Sequence, residues 1–307
     1  MLNSKIKTIL CVMFGSFCSG ANAAYITMEG DYVLTAVSDN GTLGAGGGSS
    51  PGIIHDETGS GSWSVNDYLT PGSPYEGFYV KSSQTGIVGN NNTGANSIFG
   101  GTLTDTSASS GYDQSTHWSA IYGDLFSIDI DTYFNDGDER ISFTTMITAL
   151  QDLTDLSFLR VLDPDPDVFT YGSYSTINGR GSATLAPEDW VHAEGSSTGL
   201  TIGYYSDSNI THNTGITSPW STDPDAYLSG TDAGNGDNAI GIAFDLGTLL
   251  ATDSISFNYY AVMGSSLETV DIPEAEVPEP ASLALMGVGL VLLGARKLYQ
   301  RQPRSLI

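Results

Sequence analysis

Cysteine is nearly missing from this sequence, and the little there is lies at the start. The chain has two cysteines, Cys11 and Cys18, within the first 18 of its 307 residues. The segment that holds them has the pattern of a cleavable leader, so we expect the mature chain to carry no thiol. A chain without thiols excludes disulfide bonds, a cysteine nucleophile and cysteine-ligated metals.

Positive charge is scarce as well. The chain has 10 Lys and Arg residues against 35 Asp and Glu, which gives a net charge of −25. The segment from Ala24 to Ile272 has four basic and 32 acidic residues, which gives it a net charge of −28. Because such a surface repels phosphate backbones, we expect no nucleic-acid partner. A segment of this charge is expected to attract cations.

Long runs of helix-forming residues are also absent from the segment 24–272, whereas residues that favour strands and turns are abundant. Apolar and polar residues alternate with a period of two in several places, which is typical of strands with one buried face. Turn-forming stretches such as DNGTLGAGGGSSPG and DPDPD separate these places. The candidate strands are 25–37, 77–81, 121–134, 141–149, 156–162, 182–186, 200–206, 240–244 and 255–263.

These patterns predict an all-β fold with a β-sandwich body over residues 24–272. The polar stretch 101–114 is a candidate boundary, because clean alternation is rarer before it than after it. One large sandwich and two smaller domains both fit a segment of this length, and the sequence leaves the two open.

Residues 1–23 have the pattern of a secretory signal peptide. Two lysines supply a positive start and an apolar run follows. Ala21 and Ala23 occupy the positions at which signal peptidase accepts small residues, which predicts cleavage before Ala24. A permanent anchor is the less favoured interpretation, because the apolar run is shorter than the roughly 20 residues of a membrane span.

The end of the chain combines three features in a fixed order. The linker 273–280 contains a Pro-Glu-Pro motif, and the segment 281–307 supplies an uncharged apolar stretch and then a basic tail. As a helix, the apolar stretch is about 22 Å long, which predicts a short transmembrane helix in a bilayer core of about 30 Å. The basic tail predicts a cytoplasmic C-terminus. The residues of the motif and of the first basic pair are Pro278, Glu279, Pro280, Arg296 and Lys297.

This order of Pro-Glu-Pro, short span and basic end resembles the PEP-CTERM sorting signal of Gram-negative bacteria. The resemblance implies that an exosortase, a membrane transpeptidase-like enzyme, removes the signal. It also implies export through the inner membrane, a transient anchor, and delivery to the cell surface or the extracellular matrix. Signal peptidase, exosortase and, before processing, the membrane are therefore the expected partners.

Acid-rich turns are the candidate metal sites. Calcium takes six to eight oxygen ligands, which closely spaced Asp and Asn residues supply, and Ca²⁺ is the one cofactor that the sequence suggests. Because Asp and Asn are also common turn residues, a solvated turn is the favoured interpretation of each cluster. The candidate ligands are Asp129, Asp131, Asn135, Asp136, Asp138, Asp163, Asp165 and Asp167.

No pattern of catalytic residues stands out. The four histidines are scattered, and the zinc-binding HExxH motif does not occur. No motif singles out two of the many acids as the acid and base of a glycoside hydrolase. Aromatic side chains on the surface would stack on sugar rings, but packing in the core is the favoured interpretation, because aromatics are common in strands. The candidates for such a platform are Trp63, Trp118, Trp190, Trp220, Tyr204 and Tyr205.

Two functions from different classes stay open. The favoured one is a non-enzymatic surface or matrix protein that is structural or associates with exopolysaccharide. The alternative is a secreted carbohydrate-active enzyme, similar to a glycoside hydrolase, that carries the same sorting tail.

Overall fold

Strands make up most of the structure, a computed structural model that describes residues 25–46, 49–63, 67–69 and 72–273. They pair into three antiparallel sheets, which confirms the predicted all-β sandwich. The strands are β1 (Tyr25–Glu29), β2 (Val33–Ser38), β3 (Ile53–His55), β4 (Glu76–Ser82), β5 (Gly86–Asn91), β6 (Thr102–Asp105), β7 (Gln114–Tyr122), β8 (Phe126–Phe134), β9 (Arg140–Ala149), β10 (Leu153–Leu162), β11 (Thr176–Arg180), β12 (Trp190–Gly195), β13 (Thr201–Tyr205), β14 (His212–Thr217), β15 (Ala239–Leu249) and β16 (Ser254–Gly264).

The helices are short. They are α1 (Ser107–Ser110), α2 (Val168–Tyr171), α3 (Pro224–Leu228) and one 3₁₀ turn (Leu267–Thr269). No helix in the described part of the chain has the length and apolar character needed to cross a membrane. The predicted signal peptide, the Pro-Glu-Pro motif and the predicted membrane segment lie outside the described residues.

Two large sheets face each other and enclose the core. One has eight strands in the order β11-β12-β13-β16-β9-β8-β7-β6, and the other has five in the order β14-β15-β10-β4-β5. Aromatic rings from the two sheets meet between them: the ring centroid of Phe257 lies 4.5 Å from that of Phe244 and 5.2 Å from that of Phe158. The period-two alternation of β10, β15 and β16 thus supplies the rings of the core.

A third sheet, β1-β2-β3, lies against β6 and β7 of the eight-stranded sheet. One hydrophobic cluster runs through all three sheets and includes Val33, Phe78 and Met263, so it draws on both sides of the stretch 101–114. The compact unit that contains these sheets ends at Asp271.

The two large sheets differ in how their outer faces are covered. On the five-stranded sheet, Tyr227 of α3 packs in a second hydrophobic cluster with Tyr79, Leu159 and Val161. The eight-stranded sheet presents polar side chains on the outer face of β8, where partly exposed residues alternate with fully buried ones. This exposed face is where the candidate site lies.

Three of the predicted strands are wrong in extent or in kind. The segment 25–37 is a hairpin that turns at Gly30, whose N–H donates to Val33 O at 2.9 Å. The segment 121–134 is interrupted at Gly123, which has a φ of +56° that glycine adopts without strain. The segment 182–186 forms bends and not a strand.

Candidate ligand-binding groove on the eight-stranded sheet

A depression with a volume of about 420 Å³ lies on the outer face of β7, β8 and β9. This volume is within the usual range of small-ligand sites. The residues before β7, including α1, form one of its walls. We call this depression the Tyr133 groove. Its lining residues are Thr106, Ser109, Ser110, Tyr112, Ser115, His117, Asp131, Tyr133 and Thr144.

A histidine between two carboxylates forms the polar part of the groove. His117 on β7 is paired in register with Asp131 on β8, and its Nδ1 lies 2.7 Å from an Asp131 oxygen. Its Nε2 lies 3.4 Å from an oxygen of Asp129, which is two residues earlier on the same face of β8. The three side chains are 36%, 48% and 25% exposed in the order His117, Asp131, Asp129, so a ligand can reach them.

Two tyrosines form the apolar part. The ring centroids of Tyr112 and Tyr133 are 4.2 Å apart with the planes 33° from parallel. The Tyr133 hydroxyl lies 3.2 Å from the Thr144 hydroxyl on β9. Burial and the nearby charge of Asp131 raise the pKa of Tyr133, although Thr144 opposes the shift. The phenol therefore stays protonated at neutral pH and can donate a hydrogen bond.

A second depression, of about 390 Å³, continues along the same pair of strands. Ser119, Ile121, Ser127 and Asp129 belong to its lining, and these are the outward-facing residues that follow His117 on β7 and precede Asp131 on β8. The outward face from Ser115 to Ile121 is about 20 Å long at 3.3 Å per residue. Together the two depressions form an extended surface suited to a chain-like ligand.

The charge of this surface is negative. The residues that line the two depressions include Asp129 and Asp131 but no Lys or Arg. An anionic ligand would meet unfavourable potential here, whereas a neutral ligand with many hydroxyl groups finds carboxylate acceptors and aromatic rings side by side.

The structure divides the first predicted calcium cluster into two parts. Asp129 and Asp131 lie on β8 and contact His117. Asn135, Asp136 and Asp138 lie in the turn that follows, where a carboxylate oxygen of Asp138 accepts a hydrogen bond from Asn135 N at 2.8 Å. Asp138 also contacts Arg140, and Asp136 accepts from Gln114 at 3.3 Å.

The second predicted cluster is divided as well. Asp167 is fully buried and binds the turn at 196–198, where it accepts hydrogen bonds from Ser197 N at 2.8 Å and Thr198 N at 3.1 Å. Asp163 and Asp165 lie before it, in the extended segment after β10. Among the described residues, no three His, Cys, Asp or Glu side chains are gathered as a metal site. Calcium binding by the candidate residues stays a prediction.

The candidate aromatic platform does not coincide with the groove. Trp118 and Trp190 are each 1% exposed, and Tyr204 and Tyr205 are also buried. Trp63 and Trp220 donate their indole N–H groups to other side chains of the protein, Glu29 Oε1 and Tyr79 OH respectively. The groove instead uses Tyr112 and Tyr133, which the alternation of FSIDIDTYF and the turn before β7 would have placed on the surface.

The terminal segment of the chain matches a known motif. The PEP-CTERM protein-sorting motif matches residues 276–298. The chain carries a PEP-CTERM sorting motif. This match confirms the resemblance found in the sequence and supports an exosortase substrate that is exported to the cell surface. It covers the tail and not the sandwich, and no curated protein matches the chain in sequence.

The fold of this PEP-CTERM protein has distant structural similarities. A TPR-domain containing protein from Parabacteroides distasonis is similar with a TM-score of 0.46 and 11% identity, over 84% of this chain and 50% of that one. An α-N-acetylgalactosaminidase from Bifidobacterium bifidum is similar with a TM-score of 0.41 and 8% identity, over 76% and 35%. A galactose mutarotase related enzyme from Lactobacillus acidophilus has a TM-score of 0.33 and 9% identity, over 81% and 100%.

For the first two of these proteins, the chain spans half of their length or less. All three TM-scores lie below 0.5, so none of these similarities assigns an activity or a ligand to the groove. The function has to be inferred from the groove and from the sorting motif.

Proposed function

We propose that this protein is an exported, non-enzymatic surface protein that binds neutral polysaccharide through the Tyr133 groove. The observation that carries the proposal is the pairing of two packed tyrosines with the carboxylate of Asp131 on an exposed sheet face. Sugar rings offer apolar C–H faces to aromatic rings and hydroxyl groups to carboxylates. Because the lining contains no Lys or Arg, the preferred glycan is uncharged and not a uronic acid polymer.

Processing at both ends belongs to the same proposal. Signal peptidase cleaves before Ala24, and the segment 281–307 then holds the chain in the membrane with its C-terminus in the cytoplasm. Exosortase removes the segment, and the body reaches the cell surface or the exopolysaccharide matrix. A polysaccharide-binding body would retain the protein in that matrix after the anchor is lost.

Affinity electrophoresis tests the binding. Migration of the full chain is compared in gels that contain dextran or laminarin, which are neutral, and polygalacturonate, which is anionic. We expect retardation by a neutral polymer, and we expect Tyr133→Ala to weaken binding about tenfold or more, as for the loss of an aromatic anchor. Tyr174→Ala is the matched control, because Tyr174 is 49% exposed and lies outside the groove. Equal retardation of both variants would refute the assignment of the groove.

A carbohydrate-active enzyme with the same tail is the second candidate, and the contact of His117 with both Asp129 and Asp131 favours it. Most glycoside hydrolases use a pair of neighbouring carboxyl groups as their catalytic residues. Release of reducing ends from the same polysaccharides over time distinguishes the two. Sustained release that disappears in Asp131→Asn would replace binding with hydrolysis as the function.

A further inference from the structure

The polar side of the Tyr133 groove continues across the sheet in register. Asp131 of β8 pairs with Thr144 of β9, and Thr144 pairs with Asn258 of β16. Thr144 Oγ1 also donates a hydrogen bond to Asn258 Oδ1 at 3.0 Å. Since paired residues of an antiparallel ladder share a face, the exposed side chain of Asn258 lies on the outer face beside the groove. We call Asp131, Thr144 and Asn258 the polar row.

Tyrosines follow the polar row at the neighbouring outward positions of the same strands. Tyr133 of β8 pairs with Ser142 of β9, and Ser142 pairs with Tyr260 of β16. On the next strand, β13, Tyr205 pairs with Tyr260, and their ring centroids are 6.0 Å apart with the planes 27° from parallel. Two strand spacings, about 10 Å in all, separate Tyr133 from Tyr260. The outer face therefore carries two tyrosine pairs, Tyr112 with Tyr133 and Tyr205 with Tyr260, on either side of a serine.

Tyr260 is the accessible ring of the second pair. It is partly exposed, whereas Tyr205 is buried and packs against it. Tyr205 therefore supports the ring of Tyr260 and does not itself offer a face to a ligand. Ser142, at the position between Tyr133 and Tyr260, is small and buried, so no bulky side chain stands at this position between the two rings.

The charged groups around Tyr260 provide no free base for an anionic ligand. Burial raises the pKa of Tyr260 to about 12, and the charge of the exposed Asp207 adds to the rise while Arg140 opposes it. Arg140 is already paired with two carboxylates, Asp271 at 2.6 Å and Asp138 at 3.4 Å. The surface around Tyr260 thus has the same preference for an uncharged, hydroxyl-rich ligand as the groove.

We propose that Tyr260 is a second sugar-stacking subsite, and that a bound polysaccharide chain crosses the strands from Tyr133 to Tyr260. The inference rests on the proposed function, because it takes the Tyr133 groove to be a site for neutral polysaccharide. A chain that lies across β8, β9 and β16 places the apolar faces of its sugar rings on the tyrosines. Its hydroxyl groups then lie over the polar row, whose side chains accept and donate hydrogen bonds.

The second depression offers a competing path along the strands. Its aromatic ring is Phe99, which is exposed in the segment before β6, and its strand positions carry small or aliphatic side chains and Asp129. The path across the strands has a tyrosine at each end and hydrogen-bonding side chains beside it over its whole length. We therefore favour the path across the strands, and Ile121 of the second depression supplies the variant that tests the other one.

Isothermal titration calorimetry of the full chain in detergent, with laminari- and isomalto-oligosaccharides of increasing length, tests the subsite. The affinity of the wild type is expected to rise with length until the oligosaccharide reaches Tyr260, and then to level off. Tyr260→Ala should bind the shortest oligosaccharides as the wild type does, but it should bind the longest about tenfold or more weakly, as for the loss of an aromatic anchor. Tyr260→Phe keeps the ring and should retain most of the affinity for the longest oligosaccharides.

Two further variants keep the result interpretable. Asn258→Ala changes an exposed residue of the polar row, so it is expected to fold even if Tyr260→Ala does not, and it should weaken the binding of the longest oligosaccharides only. Ile121→Ala changes an exposed residue of the second depression and should bind every length as the wild type does.

The outcomes separate the subsite from the proposed function. If Tyr133→Ala weakens binding while Tyr260→Ala and Asn258→Ala match the wild type at every length, the subsite is refuted and the proposed function stands. A loss for long oligosaccharides in Ile121→Ala and not in Tyr260→Ala also refutes it, because the chain then lies along β7. If the wild type binds no oligosaccharide, or if Tyr133→Ala binds like the wild type, the proposed function fails and the subsite fails with it.

Discussion

Glu76 and Arg160 form an ion pair inside the sandwich, and neither side chain is exposed to solvent. The carboxylate of Glu76 also accepts a hydrogen bond from Leu43 N at 2.7 Å, and the Arg160 guanidinium lies 4.7 Å from the ring centroid of Phe143. Burial raises the pKa of Glu76, while the charge of Arg160 and the Leu43 N–H oppose the rise. The pair links β4 and β10 in the layer between the two large sheets.

Removal of one partner of this pair should be costly. Arg160→Met leaves Glu76 in the interior without a counter-charge, and we expect a loss of about 3–5 kcal/mol in the free energy of unfolding. In the double variant Glu76→Leu/Arg160→Met, most of this loss should be recovered, because both desolvated charges are gone. Urea denaturation at neutral pH measures both values.

The control for this prediction is the partly exposed pair of Lys81 with Asp223, whose charged atoms are 2.8 Å apart. Lys81→Met should cost no more than about 1 kcal/mol, because solvent screens a pair near the surface. A loss in Arg160→Met that is no larger than the loss in Lys81→Met would show that the buried pair contributes no more to stability than a pair near the surface.

Gly41 lies under the ring of Trp118, and this close approach makes a second prediction. The φ of Gly41 is +84°, and a Cβ added there would lie 2.6 Å from Trp118 Cδ2. Gly41→Ala should therefore be destabilised by the left-handed backbone, about 1–2 kcal/mol, and by overpacking of about 1–3 kcal/mol more.

Gly94 separates the two contributions. Its φ is +80°, nearly the same as that of Gly41, but a Cβ added there meets no atom within 4 Å. Gly94→Ala should show the backbone cost alone, in the same urea denaturation experiment. Equal losses in the two variants would mean that Trp118 moves aside without cost.

Local patterns in the sequence were sufficient for the class of fold and for part of the groove. The alternation of FSIDIDTYF predicts a strand whose polar face carries Asp129, Asp131 and Tyr133, and β8 has this arrangement. The strand predicted over 121–134 was too long at its start. The period of two does not reveal that the chain turns at Gly123, between β7 and β8.

Other parts of the site depend on pairings that a local pattern does not encode. His117 meets Asp131 only because β7 and β8 pair in one register, and a shift of one residue would place Trp118 on the surface instead. Turn-forming acids and metal-binding acids look alike in a sequence.

The sorting tail makes a prediction that does not depend on the sandwich. Co-expression with a competent exosortase should yield a product that has lost the segment after the Pro-Glu-Pro motif, as measured by intact-protein mass spectrometry. Pro278→Ala/Pro280→Ala should remain at full C-terminal length, because both prolines of the Pro-Glu-Pro motif are lost. Pro273→Ala, outside the matched residues 276–298, is the control and should be processed normally. An intact C-terminus on the unmutated chain would contradict the prediction.

His192 provides a test through pH. Its ring is buried beside Trp190, with ring centroids 5.6 Å apart, and its Nδ1 has no hydrogen-bond partner within the described residues. Burial lowers the pKa of His192 from 6.5 to about 4. Between about pH 6.5 and pH 4, the His192 ring is therefore protonated in the unfolded chain but neutral in the folded chain. Because the unfolded state binds the additional proton, the free energy of unfolding falls as the pH is lowered through this window.

The size of this effect is about 3 kcal/mol, since each pKa unit corresponds to about 1.4 kcal/mol. Many carboxylates titrate in the same range, so the measurement is a difference: the free energies of unfolding of the wild type and of His192→Gln are compared from pH 7 to pH 4. The wild type should lose about 3 kcal/mol more than the variant across that range. An NMR titration of the His192 ring should give a midpoint near 4. A midpoint of 6 or above, together with parallel stability profiles of the wild type and His192→Gln, would show that solvent reaches the ring on the outer face near β12.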